Sequence, residues 1–454
     1  MHLHILGIGG TFMSALALLA GEDGHHVTGS DANCYPPVSD LLAAKNIVWT
    51  EGFDDTTQAL KADLIVVGNA MKRGVPVLEA ILNADKPYTS GPAFIAEHIL
   101  PRYKVIAVAG THGKTTTTSM LAFILSQAGL QPGYLIGGVA TDFNTSASLG
   151  QGAWFVIEAD EYDSAFFDKR PKFMHYRPQI AILNNLEFDH ADIYEDLPAI
   201  QQQFHYFLRT IPSKGTVIKP RDDLALNDVL ARGQFCQLED LALTGESTWR
   251  AELLDERGQS FRVWHQGEMV AEINWSLMGR FNIENGLAAI AASHHTSVSA
   301  KDAAASLEKF TPVKRRLEVK SDAHGVTIYD DFAHHPTAIR KTIEGLRQSR
   351  RHKRIFVVLE FASYTMRSGV HSDKIGSALA SVDGAYLLKA EKFNLSEIAQ
   401  TWSFPYQILP ETRAIVDAVA ATVKSGDAIL VMSNRGFDNI HQQLIDKIRD
   451  VANV

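Results

Sequence analysis

The segment Gly110-Thr111-His112-Gly113-Lys114-Thr115-Thr116 contains residues suited to binding a polyphosphate. It follows the apolar run 105–109, which predicts a buried strand, and precedes an apolar stretch at 120–125 that predicts a helix. A glycine-rich turn between a strand and a helix presents free amides and the positive helix end to an anion. Lys114 can reach the terminal phosphates, and the Thr115 hydroxyl can bind Mg²⁺. The sequence therefore predicts a phosphate-binding loop, although Val108 stands where the usual spacing has a glycine.

Acidic residues follow the strand predicted at 154–157, in the order Glu158-Ala159-Asp160-Glu161-Tyr162-Asp163. Four carboxylates at the end of one strand are costly together unless a cation lies among them. Mg²⁺ shared with a bound triphosphate meets this need, and a solvated acidic turn is the alternative. The strand predicted at 179–185 leads to Asp189-His190, where the histidine is a candidate metal ligand or substrate contact.

Two further groups of polar side chains occur later in the chain. Asn282 and Asn285 are three residues apart on a predicted helix, so they share one face. Their amides suit a purine edge or phosphates, and a role as helix caps is the alternative. The strand that begins at Thr327 ends in acids and histidines, Asp330-Asp331-Phe332-Ala333-His334-His335.

The chain begins with a β-α-β pattern that suits nucleotide binding. Its first turn is Gly7-Ile8-Gly9-Gly10, and its second strand ends at Ser30-Asp31. Such a unit binds phosphates at the helix and a ribose at the acid. Phe12 replaces the third glycine of the dinucleotide fingerprint, so the motif does not decide the ligand. NAD and a nucleotide diphosphate are both compatible with it, and a turn that only packs the helix on the strand is the structural alternative.

Alternating strands and helices continue along the chain and predict an α/β protein with doubly wound, mostly parallel sheets. With 454 residues the chain is too long for one core, and we predict domains at 1–102, 103–312 and 313–454. Residues 87–92 predict a turn before a helix at 93–99, residues 100–104 a linker, and residues 213–275 antiparallel decoration.

Composition excludes several classes of protein. A net charge of −9 argues against a nucleic-acid partner, and the two cysteines, Cys34 and Cys236, exclude a disulfide framework. The first residues run straight into a strand, so we expect no secretory leader. Uncharged apolar runs stay shorter than the ~18 residues of a membrane span. We therefore expect a soluble, cytoplasmic protein.

Together these motifs resemble the Mur ligase family, the ATP-dependent amide-bond ligases of peptidoglycan assembly, over nearly the whole chain. The resemblance implies an N-terminal Rossmann-like domain that binds a UDP-sugar, a central P-loop ATPase domain and a C-terminal Rossmann-like domain. Phe281 stands where the family usually has histidine, and Phe361-Ala362 replaces an expected Pro-Arg.

The resemblance also implies roles for individual residues. We assign catalysis to Lys114, Glu158, His190, Arg316 and Asp331. One Mg²⁺ is expected at Thr115 and Glu158, and a second, which bridges the γ-phosphate and the substrate carboxylate, at Glu158 and His190. The expected ATP contacts are Gly110, Thr111, His112, Gly113, Lys114, Thr115, Thr116, Asn282, Asn285, Arg316, Asp330, Asp331 and His334. The expected UDP-sugar contacts are Gly7, Gly9, Gly10, Met13, Ser30, Asp31 and Asn69.

Two branches of the family are compatible with the chain. Its start resembles the branch that joins UDP-N-acetylmuramate to L-alanine. Residues 161–170, 189–194 and 431–437 instead resemble the branch that joins UDP-N-acetylmuramate to the murein tripeptide L-Ala-γ-D-Glu-meso-diaminopimelate in peptidoglycan recycling. We expect the second activity, in a monomer or weak homo-oligomer, with alanine ligation as the alternative.

Two other classes are further alternatives. An NAD-dependent oxidoreductase would use the first β-α-β unit but leaves Gly113-Lys114-Thr115 unexplained. A non-catalytic nucleotide-binding protein would not need the acid and histidine sets at the strand ends.

Overall fold

The computed structural model describes residues 1–390 and 392–452. Residues 391, 453 and 454, which belong to the third predicted domain, lie outside this description. Three sheets organise the chain, and we call them and their helices the N-terminal, central and C-terminal units. Within the described ranges, no helix is long and apolar enough to cross a membrane.

The N-terminal unit has a five-stranded parallel sheet in the order β3-β2-β1-β4-β5. Its strands are β1 (His2–Leu6), β2 (His26–Asp31), β3 (Val48–Glu51), β4 (Leu64–Val67) and β5 (Tyr88–Ser90). Its helices are α1 (Thr11–Glu22), α2 (Val38–Ala44), α3 (Thr57–Lys61), α4 (Pro76–Asn83) and α5 (Gly91–Phe94). The turn predicted at 87–92 is wrong, because residues 88–90 pair with β4 as an edge strand.

The central unit has a ten-stranded sheet in the order β15-β14-β13-β12-β11-β10-β6-β9-β7-β8. Its strands are β6 (Lys104–Ala109), β7 (Gly133–Ala140), β8 (Thr145–Ser148), β9 (Trp154–Glu158), β10 (Ile180–Leu183), β11 (Thr216–Pro220), β12 (Gln237–Ala242), β13 (Trp249–Leu253), β14 (Ser260–His265) and β15 (Glu268–Asn274). Its helices are α6 (Lys114–Gln127), α7 (Leu197–Leu208), α8 (Leu224–Ala231), α9 (Arg280–His294) and α10 (Ala300–Leu307).

Part of the antiparallel decoration predicted at 213–275 is wrong. Strands β11 and β12 extend the parallel sheet, and the antiparallel pairs are β13–β14 and β14–β15. The misassignment has a physical cause, because short strands separated by charged turns look alike in sequence whichever way they pair. The predicted linker at 100–104 is a 3₁₀ turn, Leu100–Arg102, followed directly by β6.

The C-terminal unit has a six-stranded sheet in the order β16-β17-β21-β18-β19-β20, parallel except for the β16–β17 pair. Its strands are β16 (Glu318–Ala323), β17 (Val326–Asp331), β18 (Arg354–Leu359), β19 (Gly384–Leu388), β20 (Tyr406–Leu409) and β21 (Asp427–Met432). Its helices are α11 (Pro336–Gln348), α12 (Tyr364–Ser368), α13 (Ser372–Leu379), α14 (Leu395–Ala399), α15 (Thr412–Thr422) and α16 (Ile440–Ala452). The predicted α/β fold with mostly parallel sheets is confirmed.

The units are joined in different ways. Helix α1 packs on β7 and β8, and one hydrophobic cluster runs from Leu3 in the N-terminal sheet to Val217 in the central sheet. The contact between the central and C-terminal units is rich in polar groups, since Glu187 accepts a hydrogen bond from Thr337 and Thr365 accepts one from the Ala191 amide. Polar interfaces of this kind suit relative motion better than a shared apolar core does. The C-terminal unit is therefore the one we expect to move.

Candidate functional site

A cavity of about 600 Å³ lies where the three units meet. The N-terminal unit contributes Thr11 and Phe12, which begin α1. The central unit contributes the loop between β6 and α6 together with the ends of β9 and β10, and the C-terminal unit contributes residues at the end of β17. The carboxyl ends of parallel strands are where ligands bind in such sheets, and here the ends from separate units share one space.

The glycine-rich loop has the backbone that the sequence predicts. Gly110 and Gly113 have φ of +122° and +82°, which favour glycine. A Cβ on Gly113 would lie 2.4 Å from Oδ1 of Asn285, so the loop packs too closely on α9 for any side chain there. The first amide of α6 that donates to a backbone carbonyl is that of Thr117, which binds the Gly113 carbonyl. The amides of residues 114–116 come before this first helical hydrogen bond, so they are available to a ligand in the cavity.

Lys114 is held by acids in this structure. Its Nζ donates to Oε2 of Glu161 at 2.8 Å and to the Gly110 carbonyl at 2.7 Å, and lies 3.6 Å from Oδ1 of Asp160. Burial disfavours the charged ammonium, but Glu161 and Asp160 outweigh it and raise the pKa of Lys114 above its usual range. The lysine is charged at neutral pH, and an arriving phosphate competes with Glu161 for it.

Thr115 and Glu158 lie side by side, as expected for ligands of one Mg²⁺. The Thr115 hydroxyl donates to Oε1 of Glu158 at 3.1 Å, and the Gly137 amide donates to Oε2 at 2.7 Å. A Cβ on Gly137 would lie 2.5 Å from both carboxylate oxygens, so glycine is needed there. Burial raises the pKa of Glu158 although Lys114 opposes the shift. Two oxygen donors in one buried cradle fit the ligand preference of Mg²⁺.

His190 has a different partner from the one that the sequence analysis assigns. We expect it beside Glu158, but its Nε2 lies 3.3 Å from Oε1 of Glu161. Asp160, Glu161 and His190 offer ligand atoms within 4.8 Å of one another, and this group is where a cation can be held. The reason is that β9 ends at Glu158, and the chain beyond it turns toward the loop after β10, where the Tyr194 hydroxyl binds the Glu161 carbonyl.

The protonation of His190 follows from these neighbours. Burial favours the neutral ring, but the hydrogen bond to Glu161 and the charge of Asp189 outweigh it and raise the pKa of His190 to about 9. The imidazolium therefore neutralises part of the acidic cluster before any cation binds. His190 also has a positive φ of 55°, in the left-handed region that only a few per cent of non-glycine residues adopt.

Arg316 brings charge from the start of the C-terminal unit to the phosphate loop. Its Nη2 donates to the Thr115 hydroxyl at 3.2 Å. Asp331 lies nearby and accepts the amides of Leu317 at 2.8 Å and Ala333 at 2.9 Å, which anchor the segment that carries Arg316. Burial raises the pKa of Asp331 although Arg316 opposes the shift. His334 also lines the cavity, and burial lowers its pKa, so its ring is neutral.

The contact of Asp330 with the nucleotide stays a prediction, and in this structure its side chain has other partners. Its carboxylate lies 3.3 Å from Nε of Arg315 and 3.3 Å from Nε2 of His441 in α16. Successive residues of a strand face opposite sides of the sheet, so Asp331 faces the cavity and Asp330 faces the helix behind it. Arg315 pairs with Asp330, whereas Arg316 donates to the Thr115 hydroxyl in the cavity.

Asn282 and Asn285 both line the cavity, as expected from their spacing. The Asn282 side-chain amide donates to the carbonyl of Met278 at 2.8 Å, just before the start of α9. Asn285 is buried and accepts a hydrogen bond from the Thr117 hydroxyl at 3.2 Å. Asn285 therefore also fixes α6, and with it the loop, against α9.

The glycine turn of the N-terminal unit opens toward the same cavity. Gly7 has φ of +82°, and the Gly9 amide donates to Oδ2 of Asp31 at 2.8 Å. Gly10 precedes α1 and has no side chain to cap it, so amides of the first turn are free for a phosphate. Asn69 is exposed beyond the end of β4, next to β1.

Two of the predicted UDP-sugar contacts have other roles. Ser30 is buried, and its hydroxyl bonds Nε2 of His4 at 2.9 Å on the far face of the sheet. Met13 is buried where α1 packs on Gly68 and Gly91, whose missing Cβ atoms make room for it. Both side chains therefore have partners within the N-terminal unit, and their contacts with a UDP-sugar stay predictions.

Lys172 lines the cavity and was missed in the sequence. Its Nζ donates to Oδ2 of Asp160 at 2.6 Å, only 8% of its side chain is exposed, and it lies 5.9 Å from the centre of the Phe12 ring. It therefore connects the acidic cluster to the start of α1. Its position in a short 3₁₀ turn after Pro171 carries no motif, so the sequence offers no signal for it.

Comparisons with known proteins agree with this geometry. Family models described as the Mur ligase catalytic, middle and glutamate ligase domains match residues 2–103, 108–293 and 315–435. Two relatives are named UDP-N-acetylmuramate–L-alanyl-γ-D-glutamyl-meso-2,6-diaminoheptandioate ligase. The one from Haemophilus influenzae is 46% identical and covers 99% of both chains; the one from Escherichia coli is 47% identical and covers 100% of this chain and 99% of its own.

A solved structure extends the likeness to three dimensions. The murein peptide ligase of Psychrobacter arcticus is 44% identical, has a TM-score of 0.78 and covers 99% of this chain and 98% of its own. Several UDP-N-acetylmuramate–L-alanine ligases are more distant, at 29–33% identity.

Proposed function

Because the chain belongs to the Mur ligase family, we propose that it is the ATP-dependent ligase that joins UDP-N-acetylmuramate to L-alanyl-γ-D-glutamyl-meso-diaminopimelate. The observation that carries this proposal is the cavity in which the phosphate loop, Glu158 and Arg316 meet. Full-length identity of 46–47% to enzymes with this name favours the tripeptide over L-alanine and over the other classes.

The reaction needs activation of a carboxylate, which is a poor acyl donor at neutral pH. The γ-phosphoryl group of ATP moves to the carboxylate of the sugar and yields an acyl phosphate and ADP. The peptide amine then attacks the acyl carbon, phosphate leaves and a proton is released. Two anions must approach each other in the first step, so the catalytic need is positive charge and alignment.

The residues of the cavity suit that need. We assign the phosphate clamp to Lys114 and the free amides at the start of α6, with Arg316 on the opposite side. Lys114 exchanges its partner Glu161 for a phosphate oxygen when ATP binds. Thr115 and Glu158 would hold Mg²⁺, which supplies further positive charge between the phosphates and the carboxylate. Asp160, Glu161 and His190 are the candidates for a second ion.

The substrate carboxylate must reach the same space. Thr11 and Phe12 follow the glycine turn and line the cavity, so a sugar diphosphate at that turn can extend its carboxylate toward the loop. Lys172 lies on this path, between Phe12 and Asp160. We propose that it helps to position the sugar end of the substrate.

Phosphate release tests the proposed function directly. The purified chain is given MgATP and UDP-N-acetylmuramate with the tripeptide, with L-alanine or with no amine. We expect release that depends on both the sugar and the tripeptide. Release with L-alanine and none with the tripeptide would show the alternative ligase, and no release with either amine would reject the family activity for this chain.

Other parts of the proposal depend on the same reaction. Its substrates ATP and a UDP-sugar are metabolites of the cytoplasm, so we place the protein there. The domain limits 1–102, 103–312 and 313–454 and the monomeric or weakly oligomeric state stay predictions.

A further inference from the structure

His112, Glu187 and His335 form a second group of possible metal ligands, apart from the acids around Lys114. Oε2 of Glu187 lies 3.7 Å from Nε2 of His112 and 3.5 Å from Nδ1 of His335. The centres of the two imidazole rings are 4.7 Å apart. All three ligand atoms lie within 4.8 Å of one another. The group is therefore compact enough for one ion to contact every member.

The hydrogen bonding of this group is incomplete. Nε2 of His112 is buried, and among the described residues it has no hydrogen-bond partner. Its separation of 3.7 Å from Glu187 is too long for a hydrogen bond. A buried polar atom without a partner costs about 1–3 kcal/mol, so most such atoms in proteins are satisfied. The missing partner lies on the side of the ring that faces Glu187.

His335 has the orientation and tautomer of a metal ligand. Its Nε2 lies 3.3 Å from the Phe188 carbonyl and so acts as the donor, which leaves Nδ1, 3.5 Å from Oε2 of Glu187, as the acceptor of the ring. A carbonyl that accepts a hydrogen bond from the other ring nitrogen fixes the orientation of a ligating histidine. Burial and the nearby His112 lower the pKa of His335, so the ring is neutral at physiological pH.

Glu187 supplies the negative charge. Burial opposes its ionisation, but the His112 ring and the hydrogen bond from the Thr337 hydroxyl outweigh burial and lower the pKa of Glu187. The Thr337 amide also donates to Nδ1 of His335 at 3.3 Å, a long bond that a metal would replace. The group therefore brings together one carboxylate and two imidazole nitrogens, Nε2 of His112 and Nδ1 of His335.

We propose that His112, Glu187 and His335 bind a divalent transition-metal ion of the Zn²⁺ type. Tetrahedral zinc has ligand bonds of about 2.0–2.2 Å, which place its ligand atoms about 3.3–3.5 Å apart. The two separations from Glu187, 3.5 and 3.7 Å, need shifts of only a few tenths of an ångström, and the two imidazole nitrogens lie within 4.8 Å of each other. Two imidazoles with one carboxylate favour zinc or its neighbours over Mg²⁺, which prefers oxygen ligands. A fourth position is left for water.

The ion would couple two units of the chain. His112 and Glu187 belong to the central unit, whereas His335 caps α11 of the C-terminal unit. A ligand that binds only when these units are together stabilises that arrangement by its own binding free energy. The metal would therefore hold the C-terminal unit against the phosphate loop, and separation of the units would release it.

Co²⁺ titration of the full-length, chelator-treated chain tests this site without any substrate. We expect saturable binding of a single ion with the intense visible absorption of tetrahedral cobalt, and Zn²⁺ should displace it. Glu187→Gln and His335→Asn should each weaken binding by at least about tenfold. Asparagine keeps an acceptor for the Thr337 amide, so His335→Asn retains the helix cap.

Two control variants separate this site from its surroundings. His371 lies in the same interface and binds the Phe188 carbonyl at 3.0 Å, but it is not part of the group, so His371→Gln should bind Co²⁺ like the wild type. Glu161→Gln disables the other candidate cation group and should leave the cobalt band intact. A wild-type chain without saturable cobalt binding would overturn the proposal. So would a band that Glu161→Gln abolishes and His335→Asn preserves.

Melting temperatures give a second measurement. Zn²⁺ should raise the melting temperature of the wild type and of His371→Gln but not that of Glu187→Gln or His335→Asn. Both measurements use only metal and protein. A negative result would therefore contradict the metal site without contradicting the proposed ligase activity. Likewise, the metal site can be tested even if the chain has no ligase activity.

Discussion

Arg315 and Arg316 are adjacent in sequence, but their guanidinium groups have different polar partners, and this contrast gives a sharp test of the active-site assignment. Arg316 donates to the Thr115 hydroxyl at 3.2 Å in the cavity. Arg315 donates to the carbonyls of Ser433 and Arg435 at 2.7 Å each, lies 3.3 Å from Asp330 and does not line the cavity. The same substitution at the two positions therefore separates catalysis from stability.

The expected effect of Arg316→Met is a loss of catalysis. The guanidinium is buried beside the loop that receives the phosphates, where water screens its charge poorly. Removal of one such preorganised donor lowers kcat by about 10²–10³, or about 3–4 kcal/mol of transition-state stabilisation. KM for the UDP-sugar should change little, because we propose that this substrate binds at the N-terminal glycine turn.

Arg315→Met is the matched control. It removes hydrogen bonds to two carbonyls and the ion pair with Asp330, so it should lower the free energy of unfolding by about 1–3 kcal/mol. Its kcat should stay within about threefold of the wild type, since the change lies outside the cavity. Arg316→Lys should be intermediate, because lysine keeps the charge but loses the planar fork.

Phosphate release at saturating and varied substrate concentrations measures kcat and each KM, and circular dichroism with thermal melting checks that the variants fold. The reasoning is refuted if Arg315→Met loses as much kcat as Arg316→Met, or if Arg316→Met retains nearly full turnover. Either result would mean that the side of β17 assigned to the nucleotide is wrong.

Four further predictions use other parts of the structure. Lys114→Ala should retain UDP-sugar binding in calorimetry but lose phosphate release; normal turnover would contradict the loop assignment. Lys172→Met should raise KM for the UDP-sugar about tenfold, because a charged hydrogen bond contributes about 1.5–3 kcal/mol, while Lys169→Met, whose lysine is 68% exposed on Asp163, should not. Equal effects would remove Lys172 from the substrate path. His4 is buried, and burial together with the charge of the nearby His2 lowers its pKa from 6.5 to about 4. The unfolded chain therefore binds this proton more tightly than the folded protein does. The free energy of unfolding is unaffected above pH 6.5 and decreases as the pH falls from 6.5 toward 4. Protonation of His4 in the unfolded chain should lower the free energy of unfolding by about 2 kcal/mol between pH 8 and pH 5. Denaturant unfolding of His4→Gln at both pH values should lack this decrease. A decrease as large as that of the wild type would contradict the prediction. Small-angle scattering with and without nucleotide and UDP-N-acetylmuramate should detect movement of the C-terminal unit, and unchanged dimensions would count against domain closure.

Local sequence determined the elements that bind phosphates. A β-branched run, two glycines and a Lys-Thr pair lie within a few residues of one another at 105–118, so strand, turn and helix follow from neighbours in the chain. The same holds for the glycine turn before α1 and for the shared face of Asn282 and Asn285. The Mur ligase resemblance also rests on such short motifs, and the family is confirmed by matches along the chain.

Only the tertiary structure decided which charged groups meet. The sheet order β10-β6-β9 brings the acids after β9 and His190 after β10 to either side of the phosphate loop. No local sequence pattern predicts this order of strands. The order joins His190 to Glu161 rather than to Glu158, and it brings Lys172 to Asp160. Period-two alternation implies that Asp330 and Asp331 face opposite sides, but only packing against α16 determines which one faces the cavity. Backbone conformation depends on neighbours in sequence, whereas contacts between strand ends depend on how distant segments pack, and the chemistry of this cavity depends on those contacts.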